Sequence, residues 1–174
     1  MKNLKQLIYL KKLNIKNISP NYTKWMNDYN VVKYTEQRFQ KHSFKDIKNF
    51  ILEKNKSKIE YLYGIFLKKK NILIHVGNIK LGPINKNHMS AYVSYIIGEK
   101  IFWGKGIASF ALKKIIKIAK KKIKLKKILA GCYENNHSSI KVLKKNHFKR
   151  EAIFASQILF EKKRIKGLVF GLKI

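Results

Sequence analysis

Cysteine is almost missing from this chain, and the lone Cys132 has no second cysteine with which to close an intrachain disulfide. Stability must then come from a packed core, and a small thiol inside the apolar run Lys127 to Tyr133 reads as buried in a reducing compartment, the cytoplasm. Proline is nearly as scarce, at two residues, and no Ser/Gly-rich tract occurs, so a flexible linker or low-complexity tail is not expected. The 174 residues are expected to form a single domain, 1–174. Long apolar runs are also missing. Lysines interrupt every apolar stretch of MKNLKQLIYLKKLNIKN, so neither a signal peptide nor a transmembrane span is expected there.

Acid is scarce as well, with 9 acidic residues against 40 basic ones and a formal charge of +31. Such a field attracts polyanions without regard to sequence. Arginine, whose planar fork suits phosphate and base recognition, is nevertheless confined to Arg38, Arg150 and Arg164. Lys, Ile and Asn, which A/T-rich codons specify, dominate instead. The charge is therefore read as compositional, and no specific nucleic-acid partner is expected. The histidines His42, His75, His88, His137 and His147 lack ligand spacing and a companion cysteine pair, so no metal site is expected. No Gly-x-Ser-x-Gly elbow supports a covalent nucleophile.

What is present is a mixed α/β pattern. Ile8 to Leu13 reads as a strand, Ser19-Pro20 as a helix start ahead of Tyr22, Trp25 and Met26, and Ser43 to Asp46 as a capping box opening a second helix. Tyr61 to Leu67 and Ile72 to Leu81 read as a hairpin, with the pattern broken at Pro83 to Lys86. Ala91 to Ile97 follows as a central strand, with Tyr92, Ser94 and Ile96 on one face and Val93, Tyr95 and Ile97 on the other. An amphipathic helix carries Ile107, Ala111, Ile115 and Ile118. Strand Lys127 to Tyr133, helix Ser138 to Lys145 and a hairpin of Glu151 to Phe160 with Leu168 to Ile174 complete the order. Three or four antiparallel strands thus precede one βαβ crossover.

Two segments carry chemistry. In Ile97-Gly98-Glu99-Lys100-Ile101-Phe102-Trp103-Gly104-Lys105-Gly106-Ile107-Ala108, a strand runs into a helix through two glycines flanking one residue. Bare backbone there lets a ligand approach, and the helix start aims free N–H groups and a positive dipole end at an anion, as a pyrophosphate cradle does. About thirty residues on, Asn136 and Ser139 open a short helix, where Asn136 is equally suited to be its N-cap.

The first segment resembles the motif Arg/Gln-x-x-Gly-x-Gly/Ala of the GNAT acetyltransferases, in the Trp-Gly-Lys-Gly form of the ribosomal-protein-acetyltransferase-like branch. The second resembles that family's Asn-x-x-Ser-Ile…Lys-x-Gly-Phe. The resemblance implies a GNAT fold, a mixed and mostly antiparallel twisted sheet flanked by helices, whose central strands part to admit the cofactor's pantetheine arm. It further implies acetyl-CoA as co-substrate, direct transfer to a primary amine, and cofactor contacts from Ile97, Trp103, Gly104, Lys105, Gly106, Ile107, Ala108, Asn136 and Ser139. Gly77 to Asn85 and Tyr34 to Phe39 resemble a subgroup that accompanies amino-sugar pathways for surface polysaccharides. A nucleotide-linked amino sugar is therefore the first acceptor to consider, with a protein N-terminus or lysine, or a basic binding module without catalysis, as alternatives. Departures from the pattern fall at Ile101, at Tyr92 in place of a glutamate, at Leu143 in place of a tyrosine, at His147 in place of a glycine, and at Lys166 in place of an acid. These leave Glu134 as the expected general base and Tyr92 as an orienting group. Arg38 is the expected anion contact for the acceptor, between the first two helices and the central strand.

Overall fold

The computed structural model describes residues 7–174, and its seven-stranded sheet has the order β1-β2-β3-β4-β5-β7-β6. The strands are β1 (Ile8–Lys12), β2 (Tyr61–Lys69), β3 (Ile72–Asn85), β4 (Ser90–Ile97), β5 (Lys127–Tyr133), β6 (Lys149–Phe160) and β7 (Lys163–Lys173). The helices are α1 (Tyr22–Asn27), α2 (Tyr29–Val32), α3 (Phe44–Lys56), α4 (Ile107–Ile118) and α5 (His137–Lys145). Strands β1 to β4 are antiparallel neighbours, and the β4-α4-β5 crossover supplies the single parallel pairing among the described strands.

Side chains alternate across the sheet and build a core on each face. From β2, Ile65 packs with Val76, Val93 and the α4 residues Ile107, Ala111, Leu112 and Ile115. Leu62 and Phe66 point the other way, to Tyr22 and Trp25 of α1 and Ile47 and Ile51 of α3. The capping box at Ser43 and Asp46 opens α3 as its sequence dictates. Helix α4 runs on into a π-helical turn, Ala119–Ile123, and stops at Lys124 in the left-handed conformation.

Two expectations need correction, and one element was not anticipated. The break expected at Pro83 does not occur, because β3 continues to Asn85 and absorbs the proline at a bulge between Leu81 and Ile84. The closing hairpin is longer than its apolar residues suggest: β6 and β7 extend into exposed lysines and arginines, paired through backbone groups that hydropathy does not register. Helix α2, a single turn capped by Asp28, has too little periodicity to be seen in sequence.

Candidate active site

The Gly-Lys-Gly turn sits where β4 hands over to α4. Gly104 and Gly106 adopt φ values of 72° and 77°, in the left-handed region that glycine enters freely. Nothing lies within 4 Å of a Cβ built on Gly104, and one on Gly106 meets only the Phe110 ring, at 3.5 Å. The space before both is open. Gly106 is the N-cap of α4 with no side-chain cap, and the first turn carries no acid, so the helix start presents its N–H groups outward. Lys105 stands over the Phe102 ring.

The approach to this turn is braced from the opposite core. Gly98 lies so close to Trp25 that a Cβ would meet the indole at 2.0 Å. Glu99 accepts the Trp25 indole N–H at 3.2 Å and the Asn21 amide at 3.1 Å, and Lys100 pairs with Asp28 at 2.6 Å. That ammonium holds the Asp28 carboxyl below its ordinary range. Trp103 folds back and donates its indole N–H to the Ile97 carbonyl at 2.8 Å.

Beyond the turn, β4 and β5 separate. Their pairing is confined to Ser90, Ala91 and Tyr92 opposite Lys127, Ile128 and Leu129. From Val93 and Ala130 onward no ladder joins them, which opens a cleft through the middle of the sheet. From β4 the Tyr95 hydroxyl meets the Ser139 Oγ of α5, the helix that follows β5, at 2.8 Å. Burial pushes the Tyr95 phenol up, and it pushes the Cys132 thiol up against the opposing hydrogen bond from Ser139. Asn136 caps α5, accepting the Ser139 backbone N–H at 3.1 Å. At the same end of β5, Asn135 Oδ1 is the one buried side-chain polar atom among the described residues without a hydrogen-bond partner. An open glycine turn at a helix start, a gap between strands and an orphaned acceptor fit a ligand with phosphates at one end and an amide-bearing arm behind them.

On the face of α1 and α3 lies a cavity of about 500 Å³, whose lining includes Glu36, Gln37, Asp46, Phe50, Ser94 and Ile96. Sequence reasoning missed Glu36, which lines this cavity, and Tyr133, which meets it from the end of β5. The Tyr133 phenol donates to Glu36 Oε1 at 2.5 Å, and burial and then this carboxylate raise its pKa. The available signal was the scarcity of acid in the chain. Arg38 shares that phenolic hydroxyl. It donates to the Tyr133 hydroxyl, to the carbonyls of Lys33 and Thr35, and to the Leu159 carbonyl at 3.0 Å, with Phe39 and Tyr133 flanking its guanidinium. Its donors are directed at the protein, clamping the segment after α2 onto β5 and β6.

The structure does not bring the two expected catalytic residues together. Tyr92 is exposed and pairs with Leu129 at the closed end of the cleft, whereas Glu134 follows the open end, roughly 16 Å further along β5 at the usual strand rise. Glu134 accepts the Lys166 backbone N–H at 2.7 Å, with the Lys166 ammonium 3.7 Å away. It is therefore engaged on the β7 side of β5, away from β4. Among the described residues no group of three His, Cys, Asp or Glu side chains could hold a metal ion.

The sequence profile of the Acetyltransferase (GNAT) domain matches residues 8–149, most of the chain. The chain belongs to the GNAT acetyltransferase family. Acetyl-CoA-dependent N-acetyl transfer is the chemistry of that family. The probable N-acetyltransferase YjcK of Bacillus subtilis is 34% identical over 95 residues, which are 54% of this chain and 51% of that protein. The match thus spans about half the length of that curated relative. Spermidine N-acetyltransferase from Vibrio cholerae, solved with CoA and spermine, superposes with a TM-score of 0.83 at 17% identity, covering 97% of this chain and 96% of the other. RimL, a ribosomal L7/L12 α-N-protein acetyltransferase solved with coenzyme A, gives 0.83 at 15% identity over 99% and 97% of the two chains. The microcin C7 self-immunity acetyltransferase MccE, solved with acetyl-CoA and AMP, gives 0.81 at 20% over 97% and 93%. At these identities the solved structures show the GNAT fold alone. Of the departures of this GNAT domain, Leu143 is fully buried in the core, whereas His147 stands in a left-handed position, φ 66°, after α5, which a glycine would fill with less strain.

Proposed function

We propose that this chain transfers the acetyl group of acetyl-CoA to the primary amine of a small acceptor, a nucleotide-linked amino sugar being the first candidate. The observation that carries the reading is the cleft between β4 and β5, which has the open Gly104-Lys105-Gly106 turn at one end and the cavity beside Ser94 and Ile96 on the acceptor side. In this reading the α4 N-terminus and Lys105 hold the pyrophosphate, while Asn135, Asn136 and Ser139 flank the pantetheine arm. Backbone N–H near Ile97 polarises the thioester carbonyl as the amine attacks and the C–S bond breaks. The Tyr95–Ser139 pair supplies hydroxyls to the cleft for the departing thiolate.

A second reading rests on two carboxylates, Glu36 and Asp46, in the lining of the cavity. They suit a polyamine, the ligand class in the spermidine acetyltransferase structure. Thiol release from acetyl-CoA, measured against a uridine-diphosphate-linked amino sugar, spermidine and a peptide with a free N-terminus, tests both. Turnover is expected with the amino sugar. Faster turnover with spermidine would favour the second reading, and a peptide preference would favour protein acetylation. No thiol release with any amine, despite CoA binding, would leave a basic binding module without catalysis.

A further inference from the structure

The cavity on the acceptor side has charged and polar walls, and most of them are already committed. Asp46 caps α3, accepting the Ser43 backbone N–H and hydroxyl at 2.8 Å and 2.7 Å. Lys80 is paired with Glu60 at 2.7 Å. His42 is tied through its backbone N–H to Asn27 and through its ring to the Gln37 carbonyl. Glu36 and Asp46 each keep one oxygen without a hydrogen bond or ion pair among the described residues, Oε2 and Oδ1. Asp46 serves the α3 N-cap with its other oxygen, whereas Glu36 Oε1 accepts the Tyr133 O–H from the end of β5. The carboxylate is exposed at the cavity rather than sealed in the core.

The network behind Glu36 fixes Oε1 and leaves Oε2 to the cavity. Arg38 approaches the Tyr133 hydroxyl, not the carboxylate, and no lysine or arginine forms an ion pair with Glu36 among the described residues. Resting on the proposed acetyl transfer, we propose that Glu36 receives the acceptor's ammonium group on Oε2, with the Tyr133 phenol holding Oε1 so that the acid faces the end of β5. The ammonium gives one proton to water before the neutral amine attacks the thioester carbonyl; the C–S bond then breaks, a second N–H proton goes to the departing thiolate, and the product is a neutral amide. The product then loses the charge-assisted contact that held the substrate, which favours its release. Glu36 thus selects an amine over an isosteric alcohol as well as binding it.

The test uses the amine that turns over fastest in the thiol-release panel, together with its hydroxyl analogue as a competitive inhibitor. Glu36→Gln is expected to raise the KM for the amine about tenfold or more, with little change in the affinity for CoA or in the inhibition constant of the alcohol. Tyr133→Phe, which keeps the carboxylate but frees its orientation, is expected to fall between the two. An unchanged KM in Glu36→Gln overturns the assignment, as does equal weakening of amine and alcohol, the signature of a distorted cavity. If no amine is acetylated at all, the proposed function falls and this inference with it. Turnover that is indifferent to Glu36 removes the inference alone.

Discussion

His147 follows Asn146 at the end of α5, where the N–H of Phe148 reaches the Leu143 carbonyl and that of His147 reaches Lys144. This is a Schellman closure, and its left-handed position favours glycine, which is what the family motif carries. His147→Gly is expected to raise stability by about 1 kcal/mol, read as a higher midpoint in denaturant. At Gly106 the conformational argument runs the other way. Valine there would both resist φ 77° and push a side chain into the open space before α4. Gly106→Val is expected to weaken CoA about tenfold or more by calorimetry, with near-native circular dichroism, since only the Phe110 ring lies within reach of the added Cβ. Both glycines of the phosphate turn were legible in sequence because backbone freedom leaves a residue-type signature. Glu36 and Tyr133 were not, since they are 97 residues apart and nothing local in either announces the other.

Helix α1 is held to the sheet by His75, whose ring is buried among Tyr22, Trp25 and Phe66. Its Nδ1 accepts the Ser19 backbone N–H at 2.9 Å, so Nε2 carries the proton and donates to Asn78 at 2.9 Å. Burial pushes its pKa below the ordinary imidazole value, opposed by the Asn78 hydrogen bond. The unfolded chain therefore binds a proton that the folded one refuses, and stability is expected to fall as pH drops below about 6.5. Thermal midpoints from pH 8 to pH 5 check this, and His75→Phe is expected to flatten the profile. Apart from the single turn α2, the helices and central strands could be read from periodicity, caps and the glycine turn. The continuation of β3 through Pro83 and the length of the β6–β7 hairpin could not, because both depend on ladder partners distant in sequence rather than on hydrophobic pattern.

For the molecule as a whole, a formal charge of +31 with little arginine predicts long-range attraction without selectivity. The KM for acetyl-CoA is expected to rise with ionic strength while kcat holds, and duplex DNA is expected to bind weakly and to be lost at moderate salt, as anisotropy titrations would show. Sequence-selective binding at physiological salt would contradict the compositional reading of the lysines. The short β4–β5 ladder has a consequence for mechanics. Three residue pairs suture a half-sheet of four strands to one of three, so the seam is the weakest line across an otherwise continuous fabric. A pantetheine arm lying in that seam would act as a missing thread, satisfying backbone groups of both halves at once. Amide hydrogen exchange over residues 93–97 and 130–133 is therefore expected to slow markedly on CoA binding, with the outer strands little affected.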